Sequence, residues 1–266
     1  MGRGMKVSIV TISYNQARFL EETIRSVIEQ DYPEIEYIVV DPGSTDGSRE
    51  IIERYRDRID HIIFEPDEGP ADGLNKGFAK ATGEIFGFLN ADDLLLPGAV
   101  RRVVDYFRRY PEIDVVSGHG YKIDSAGNII GKTYSHRFRP RDYVFGACVL
   151  VQQSTFFRNS AFRQAGGFNK GNRVSWDGEL WFDMGMAGCK FGRMHTFLSA
   201  FRMHPDSITV SGRLSHLEKG IKEKMAKRLN IDVSAIESRR IQLIHRFLNR
   251  ASDPAGTFLR LIGGYL

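Results

Sequence analysis

The apolar run Ile85-Phe86-Gly87-Phe88-Leu89 stops on Asn90-Ala91-Asp92-Asp93. A buried strand that ends on two neighbouring carboxylates places negative charge at the carboxyl edge of a sheet. Open α/β sheets bind their ligands at that edge. Clustered carboxylates repel one another unless a cation joins them, and a hard divalent ion shared with a ligand's phosphates is the usual solution. Such chemistry asks the rest of the chain for a nucleotide site, a sugar and a base.

Three other segments carry suitable residue types. Thr11-Ile12-Ser13-Tyr14-Asn15 ends the first apolar run in an open βα turn, whose backbone N–H groups can face an anionic ligand. An ordinary βα loop would look the same. Asp41-Pro42-Gly43-Ser44-Thr45-Asp46-Gly47-Ser48 follows the second run. Asp41 can accept from a nucleobase N–H or a ribose hydroxyl, and Gly43 permits close backbone approach. Asp46 suits helix capping, where the dipole favours a carboxylate. Asp72 and Lys76 lie four apart on a predicted helix. That spacing serves an intrahelical ion pair and a nucleoside-plus-phosphate contact equally well.

These residues need elements to hold them. Val7–Ile12 and residues 37–40, 61–64 and 85–89 read as strands. Residues 18–30 carry Phe19, Leu20, Ile24, Val27 and Ile28 as a helical stripe. A second helix, capped by Ser44 or Thr45, is predicted to reach Arg56. A third covers residues 71–81, and a fourth lies between Pro97 and Pro111. This alternation implies an α/β fold with a mainly parallel central sheet flanked by helices. The second half breaks the rhythm. It offers a strand at 115–118, a hairpin turn at 125–128, a strand near Val149 and a helix capped by Asp177.

The chain has 266 residues, 42% hydrophobic and 26% charged, enough for one substantial α/β domain with an appendage. A net charge of +4 suits an anionic ligand or lipid surface. No RNA-binding aromatic motif or zinc-finger spacing argues for nucleic acid. Cys148 and Cys189 are far apart and read as buried free thiols in a reducing compartment. Residues 1–4 read as a loose leader with Met5 an alternative start, and no secretory signal is visible. The apolar run at residues 143–151 is far too short to span a bilayer. Between Arg213 and Arg250 ten residues are Lys or Arg and four are Asp or Glu. This shift divides the chain into a main domain, 1–212, and a basic, mainly helical extension, 213–266. The extension has three readings: a solvated helical face, a docking surface for anionic lipid head groups, and a contact within an oligomer.

Taken in order, the motifs resemble those of family-2 glycosyltransferases of the GT-A fold, of the bacterial surface-glycan type. The matching pieces are Ser13-Tyr14-Asn15, Val40-Asp41 with Gly43 to Gly47, Asp72 to Gly77, Gly83-Glu84 and Phe88 to Asp93. Further on come Gly166-Gly167-Phe168, Asp177 to Trp181 and Phe201 to Pro205. Residues 6–210 are covered and the extension is not. The resemblance implies a Rossmann-like GT-A domain. It also implies inverting, metal-dependent transfer of a sugar from a nucleotide sugar, with a UDP-sugar as first choice, to a glycan or lipid-linked acceptor. The setting would be cell-surface polysaccharide biosynthesis in the cytoplasm, with peripheral contact at the inner membrane face.

By position, Asp41 and Asp72 would belong to the nucleotide site, with Thr11, Ser13, Tyr14, Asn15, Gly43 and Lys76 around the donor. Asn90-Ala91-Asp92 takes the place of the family's Asp-X-Asp motif, with Asp92 the expected metal ligand. Asp93 would lie beside the donor sugar or metal, and His204 would contact the metal or diphosphate. Asp177 would be the general base. Carboxylate and phosphate ligands suit Mg²⁺, and an imidazole ligand makes Mn²⁺ more attractive. Two positions depart from the pattern: Asn90 brings an amide where an acid is usual, and Pro42 stands where many members have a second Asp.

Asp177 carries a tension, since a helix N-terminus lowers a carboxylate's pKa and makes it a weaker base. Trp181 is assigned to the core, and Trp176 to either the core or an acceptor sugar. Gln152, Gln153 and Arg202 read as polar surface in preference to an acceptor cleft. One rival reading is a sugar-nucleotide pyrophosphorylase, but Ser13-Tyr14-Asn15 stands where a Gly-rich basic loop would be expected. Another is a catalytically silent nucleotide-sugar-binding protein, which only a turnover measurement separates.

Overall fold

The computed structural model describes residues 4–207, 215–254, 257 and 258. Residues 1–3 of the predicted leader and the boundary at 212 and 213 lie outside the described residues. Strand β1 (Val7–Ile12) lies between parallel neighbours β2 (Ile35–Val40) and β4 (Ile85–Asn90). Beyond β2 lies β3 (His61–Ile63), also parallel. Ile12 stands opposite both Val40 and Asn90, so three strands end level. Every motif that follows these runs therefore falls on one edge of the sheet.

Successive residues of a strand face opposite ways. Ile9, Tyr37 and Val39 enter one core with Leu20, Ile24 and Val27 of α1 (Ala17–Ile28) and Phe107 of α4 (Ala99–Arg109). Val10, Ile38 and Val40 enter a second core with Leu74 and Phe78 of α3 (Pro70–Lys80). With both faces covered, the strands read as continuous apolar runs rather than alternating ones. Gly77 lets α3 lie directly on β1, because a Cβ there would sit 2.5 Å from Val10 Cγ1.

The second half adds β5 (Leu94–Leu95), β6 (Val115–Ile123), β7 (Ile129–Thr133), β8 (Thr155–Arg158) and β9 (Phe191–Arg202). The sheet order is β3-β2-β1-β4-β8-β6-β9-β5, with β7 on β6. It is a mixed sheet: β8 runs antiparallel to β4 and β6, β9 parallel to β6, and β5 antiparallel to β9. Helices α5 (Pro140–Val144), α6 (Asn159–Ala165) and α7 (Trp176–Met186) connect these strands. The basic segment forms α8 (Ser215–Arg228), α9 (Val233–Glu237) and α10 (Arg239–Ala251). A third core joins it to the body, with Met225, Ala226, Ile231 and Ile236 packing on Val144, Phe145 and Phe182. Among the described residues no helix is long and apolar enough to cross a membrane.

Several local expectations change. The helix after β2 is shorter than predicted; α2 covers Ser48–Arg54 and starts after Gly47, in the left-handed region at φ 97°. Ser44 does not cap it: Gly47 holds the cap position, and the Ser44 hydroxyl accepts from Asn15 N (2.8 Å) while donating to Asp41 (2.6 Å). The expected strand near Val149 is absent from the sheet. Val149 bonds instead to His136 through its carbonyl (2.8 Å), and the strand lies at β8. The twelve-residue β9, the longest strand, was not predicted as one. Its charged and polar residues break the apolar run.

At the opposite, amino edge of the sheet, buried Glu36 accepts from Lys6 Nζ (2.8 Å), Ser8 Oγ (2.5 Å), Thr82 N (2.7 Å) and Thr82 Oγ1 (2.7 Å). Burial pushes its carboxyl up, but these donors outweigh burial and hold the pKa at about 2. A depressed pKa stabilises the fold above the ordinary value of 4.5, and that contribution is lost as pH falls toward 2. Glu36→Gln should cost about 1–3 kcal/mol at neutral pH. It should also flatten the acid limb of stability against pH in urea titrations. An unchanged acid limb would place that sensitivity elsewhere.

Candidate active site

The loops after β1 and β2 are laced together. Asn15 N donates to Ser44 Oγ (2.8 Å), and Thr45 N donates to Asn15 Oδ1 (2.9 Å). Asp46 has a capping role, but on two helices at once. It accepts from Ser48 N at the start of α2 (3.0 Å) and from Ala17 N at the start of α1 (2.9 Å). Asp41 is wholly buried and accepts from Gly43 N (3.1 Å), Ser44 N (2.8 Å), Ser44 Oγ (2.6 Å) and Arg49 Nε (3.2 Å). Gly43 sits at φ 146°, a conformation that side chains rarely adopt. Thr11 is also fully buried and accepts from the Tyr37 hydroxyl at 3.0 Å, beneath the loop rather than on it. The Ser13 hydroxyl is buried without a hydrogen-bond partner among the described residues, and the Tyr14 ring is 62% exposed.

Helix α3 brings Asp72 to the same edge; a Cβ on neighbouring Gly73 would lie 3.6 Å from Ile12 Cγ2. Asp72 is buried and makes the i,i+4 pair with Lys76 at 3.6 Å. A stronger partner was invisible in the sequence: Lys170 Nζ lies 2.5 Å from Asp72 Oδ1. The Lys170 ammonium is the main reason that the Asp72 carboxyl sits below the usual aspartate range. Lys76 also donates to the Pro66 carbonyl.

The turn after β4 is held from two sides. Asp93 is fully enclosed. It accepts from Arg202 N (3.0 Å), Gln153 Nε2 (2.8 Å) and Asn90 Nδ2 (3.2 Å). Burial and then the neighbouring Asp92 charge push its carboxyl upward, against these donors. Arg202, read from sequence as surface, is fully buried. It donates to the Asp92 carbonyl (3.0 Å) and to Glu22 (2.6 Å), and lies 4.7 Å over the Phe19 ring. Gln153 is likewise interior, which corrects its surface assignment. Gln152 donates to the Phe88 carbonyl at 2.8 Å. Ala91 is buried, and Asp92 alone of this turn directs its carboxylate to an imidazole: His204 Nε2 lies 2.9 Å from Asp92 Oδ2.

Asp177 is not the cap of its helix. Ser175 holds the cap position, and Asp177 lies in the first turn of α7. Burial raises its carboxyl above the ordinary range despite the N–H groups of Asp177 and Gly178, and Glu218 of α8 adds to the rise. The dipole argument from sequence gave the opposite sign; here desolvation wins. The loop before α7 is pinned by Glu179, which accepts from Asn169 Nδ2 (3.0 Å) and Asn172 Nδ2 (2.8 Å). Through Lys170 that loop reaches Asp72, so it ties the start of α7 to the start of α3. Glu179, Asn169 and Lys170 escaped the sequence reading, because their partners are supplied by tertiary contact. Trp176 and Trp181 both belong to the buried core.

Asp92 and His204 fit a cation that draws its other ligands from phosphates and water, since a carboxylate oxygen and an imidazole nitrogen already face one another. Among the described residues no cluster of three or more His, Cys, Asp or Glu side chains suited to a metal occurs.

Solved structures share this architecture. A mannosyltransferase of Pyrobaculum calidifontis, solved with GDP-Man and Mn²⁺, superposes with a TM-score of 0.64 at 20% identity, over 98% of this chain and 79% of that one. TarS of S. aureus, residues 1–349 solved with UDP-GlcNAc, gives 0.61 at 17% identity, over 76% and 60%. At such identities the likeness establishes the GT-A fold alone. In sequence, the putative teichuronic acid biosynthesis glycosyltransferase TuaG of Bacillus subtilis is 40% identical over 90 residues, 33% of this chain. The chain spans 36% of that relative's length and 41% of that of a Nostoc glycosyltransferase. The glycosyl transferase family 2 model matches residues 8–186, a span that holds the level strand ends, the acidic turn and the start of α7. The chain belongs to glycosyl transferase family 2.

Proposed function

We propose that the chain is an inverting, divalent-metal-dependent glycosyltransferase. It moves a sugar from a nucleotide sugar, with a UDP-sugar the first candidate, to a glycan or lipid-linked acceptor in surface-polysaccharide assembly. The observation that carries this reading is the Asp92–His204 pair, 2.9 Å apart beside the level ends of parallel strands. The sugar-nucleotide ligands of the solved relatives support the donor class, and the teichuronic acid relative supports the acceptor class. The transferring body is residues 1–212, with 213–266 as a distinct basic extension.

Asp92 and His204 would hold Mn²⁺ or Mg²⁺, which supplies Lewis-acid neutralisation of charge on a departing diphosphate. Asp41, Asp72 and the Ser13–Asn15 loop bind the nucleoside side of the donor. Asp41 must exchange one of its loop donors for a base contact, whereas the Ser13 hydroxyl and Tyr14 ring need no exchange. Asp177 accepts the acceptor's hydroxyl proton as that oxygen attacks from the face opposite the leaving group. A single base with in-line attack inverts the anomeric centre. Its raised pKa makes Asp177 a stronger base than an ordinary aspartate.

A donor screen read by nucleoside-diphosphate release, with and without Mn²⁺, tests the reaction class. Release of inorganic pyrophosphate from a nucleoside triphosphate and a sugar phosphate would instead make it a pyrophosphorylase. Asp177→Asn should keep nucleotide binding and lower kcat about 10²–10⁴-fold. In the native chain kcat/KM should fall as pH drops through a value above the ordinary 3.8, because the base must be ionised. Near-native turnover in Asp177→Asn would remove this residue from the reaction. Asp92→Asn should weaken UDP binding in calorimetry when Mn²⁺ is present and change it little in EDTA. Equal losses in both buffers would make Asp92 a nucleotide contact rather than a metal ligand.

A further inference from the structure

Helix α10 is amphipathic in the reverse of the usual sense. Two of its polar residues, His245 and Asn249, point inward. His245 Nδ1 lies 2.9 Å from Asp142 Oδ1, and Asn249 donates to Asp142 Oδ2 (3.0 Å) and to the Arg137 carbonyl (2.9 Å). Asp142 and Asn249 are buried, and the His245 ring stacks on Phe145 at 4.2 Å between centroids. Leu243, Ile244, Phe247 and Leu248 face out, with Phe247 71% exposed. At about 100° per residue, Arg239, Arg246 and Arg250 line one edge of this apolar strip. Arg240 stands at its amino end. All four arginines are exposed, and residues 239–251 contain no acid.

We infer that this face of α10 docks on an anionic lipid surface. Phe247 and its apolar neighbours enter the boundary between head groups and acyl chains, and the arginines meet the head groups. The rotation of the helix is fixed. Turning the strip inward would take His245 and Asn249 from buried Asp142 and leave that carboxylate only the 4.0 Å ion pair with Arg139. The charge pattern selects the occupant. Two copies pressed face to face would crowd arginine stripes together with no acid between them. Four side chains also cover far less than the roughly 1,200 Å² of a stable protein interface. Docking would place the transferring body beside lipid-linked acceptors; the inference rests on the proposed function for that purpose alone.

The test is flotation of the full chain with vesicles of phosphatidylcholine, with and without phosphatidylglycerol, in parallel with calorimetric UDP binding. The chain should float with the anionic vesicles and be released by high salt. Phe247→Asp should weaken this binding at least about tenfold. Arg246→Glu should weaken it on the order of fivefold or more, with loss of the anionic preference. Circular dichroism should be unchanged for both, as the sites are exposed. No flotation by the native chain, or undiminished flotation of Phe247→Asp, overturns the inference. So does a native dimer that Phe247→Asp splits, which would give the face to a second copy. Flotation without UDP binding would leave the docking intact and sink the proposed donor chemistry; UDP binding without flotation would do the reverse.

Discussion

The acidic turn depends on a reciprocal lock between two buried residues. Asp93 accepts from the backbone N–H of Arg202, and Arg202 donates its Nε to the backbone carbonyl of Asp92. Each side chain thus fixes the other's main chain, joining the end of β4 to the end of β9. Burying two charges is costly unless every polar atom finds a partner. Here Gln153, Asn90, Glu22 and the carbonyls of Asp124 and Ser125 supply further contacts, and Phe19 covers the guanidinium. The consequence is positional. With Asp93 turned inward and the Asp92 carbonyl held, the backbone that carries the Asp92 carboxylate is fixed, and that carboxylate meets His204. Preorganisation of this kind is what a charge-stabilising site requires, since a group already held pays no reorganisation during reaction.

The same lock explains where sequence reading succeeds and fails. Continuous apolar runs at residues 7–12, 37–40 and 85–89 revealed the parallel half of the sheet, because strands covered on both faces need no polar alternation. Their level ends follow from register, so the edge bearing Ser13, Asp41 and Asp92 was legible from pattern. Arg202 and Gln153 were not. A charged residue is surface by default, and only the partner across 109 residues of chain makes Arg202 an interior group. Lys170 escaped for the same reason, since its carboxylate lies on α3. The polar β9 shows that an interior strand can hide when polar residues such as Ser199 and Arg202 are buried in the fold.

Asp177 illustrates a competition that residue order cannot settle. Position in the first turn favours the ionised form through the helix dipole, an effect of about 0.3–1 kcal/mol near a surface. Packing by the surrounding chain opposes it and is larger, so the carboxyl's pKa rises. Part of that environment comes from outside the family's span: Glu218 of α8 adds to the rise, and α8 shares a core with Val144 and Phe182 of the body. The basic extension is thus coupled electrostatically to the residue assigned as the base.

The extension shows the limit of periodicity as evidence. A stripe in residues 239–251 announces two faces but not which one turns inward. The default places the apolar face against the body, and here that default fails. The choice was made by Asp142, a buried carboxylate on α5 that needs donors and receives them from His245 and Asn249. Taking both donors from a buried carboxylate costs about 3–5 kcal/mol, which offsets much of what the half-exposed strip forgoes at about 1.5–3 kcal/mol per fully buried side chain. One acid in the body therefore orients the whole helix and leaves its greasy side to whatever lies outside.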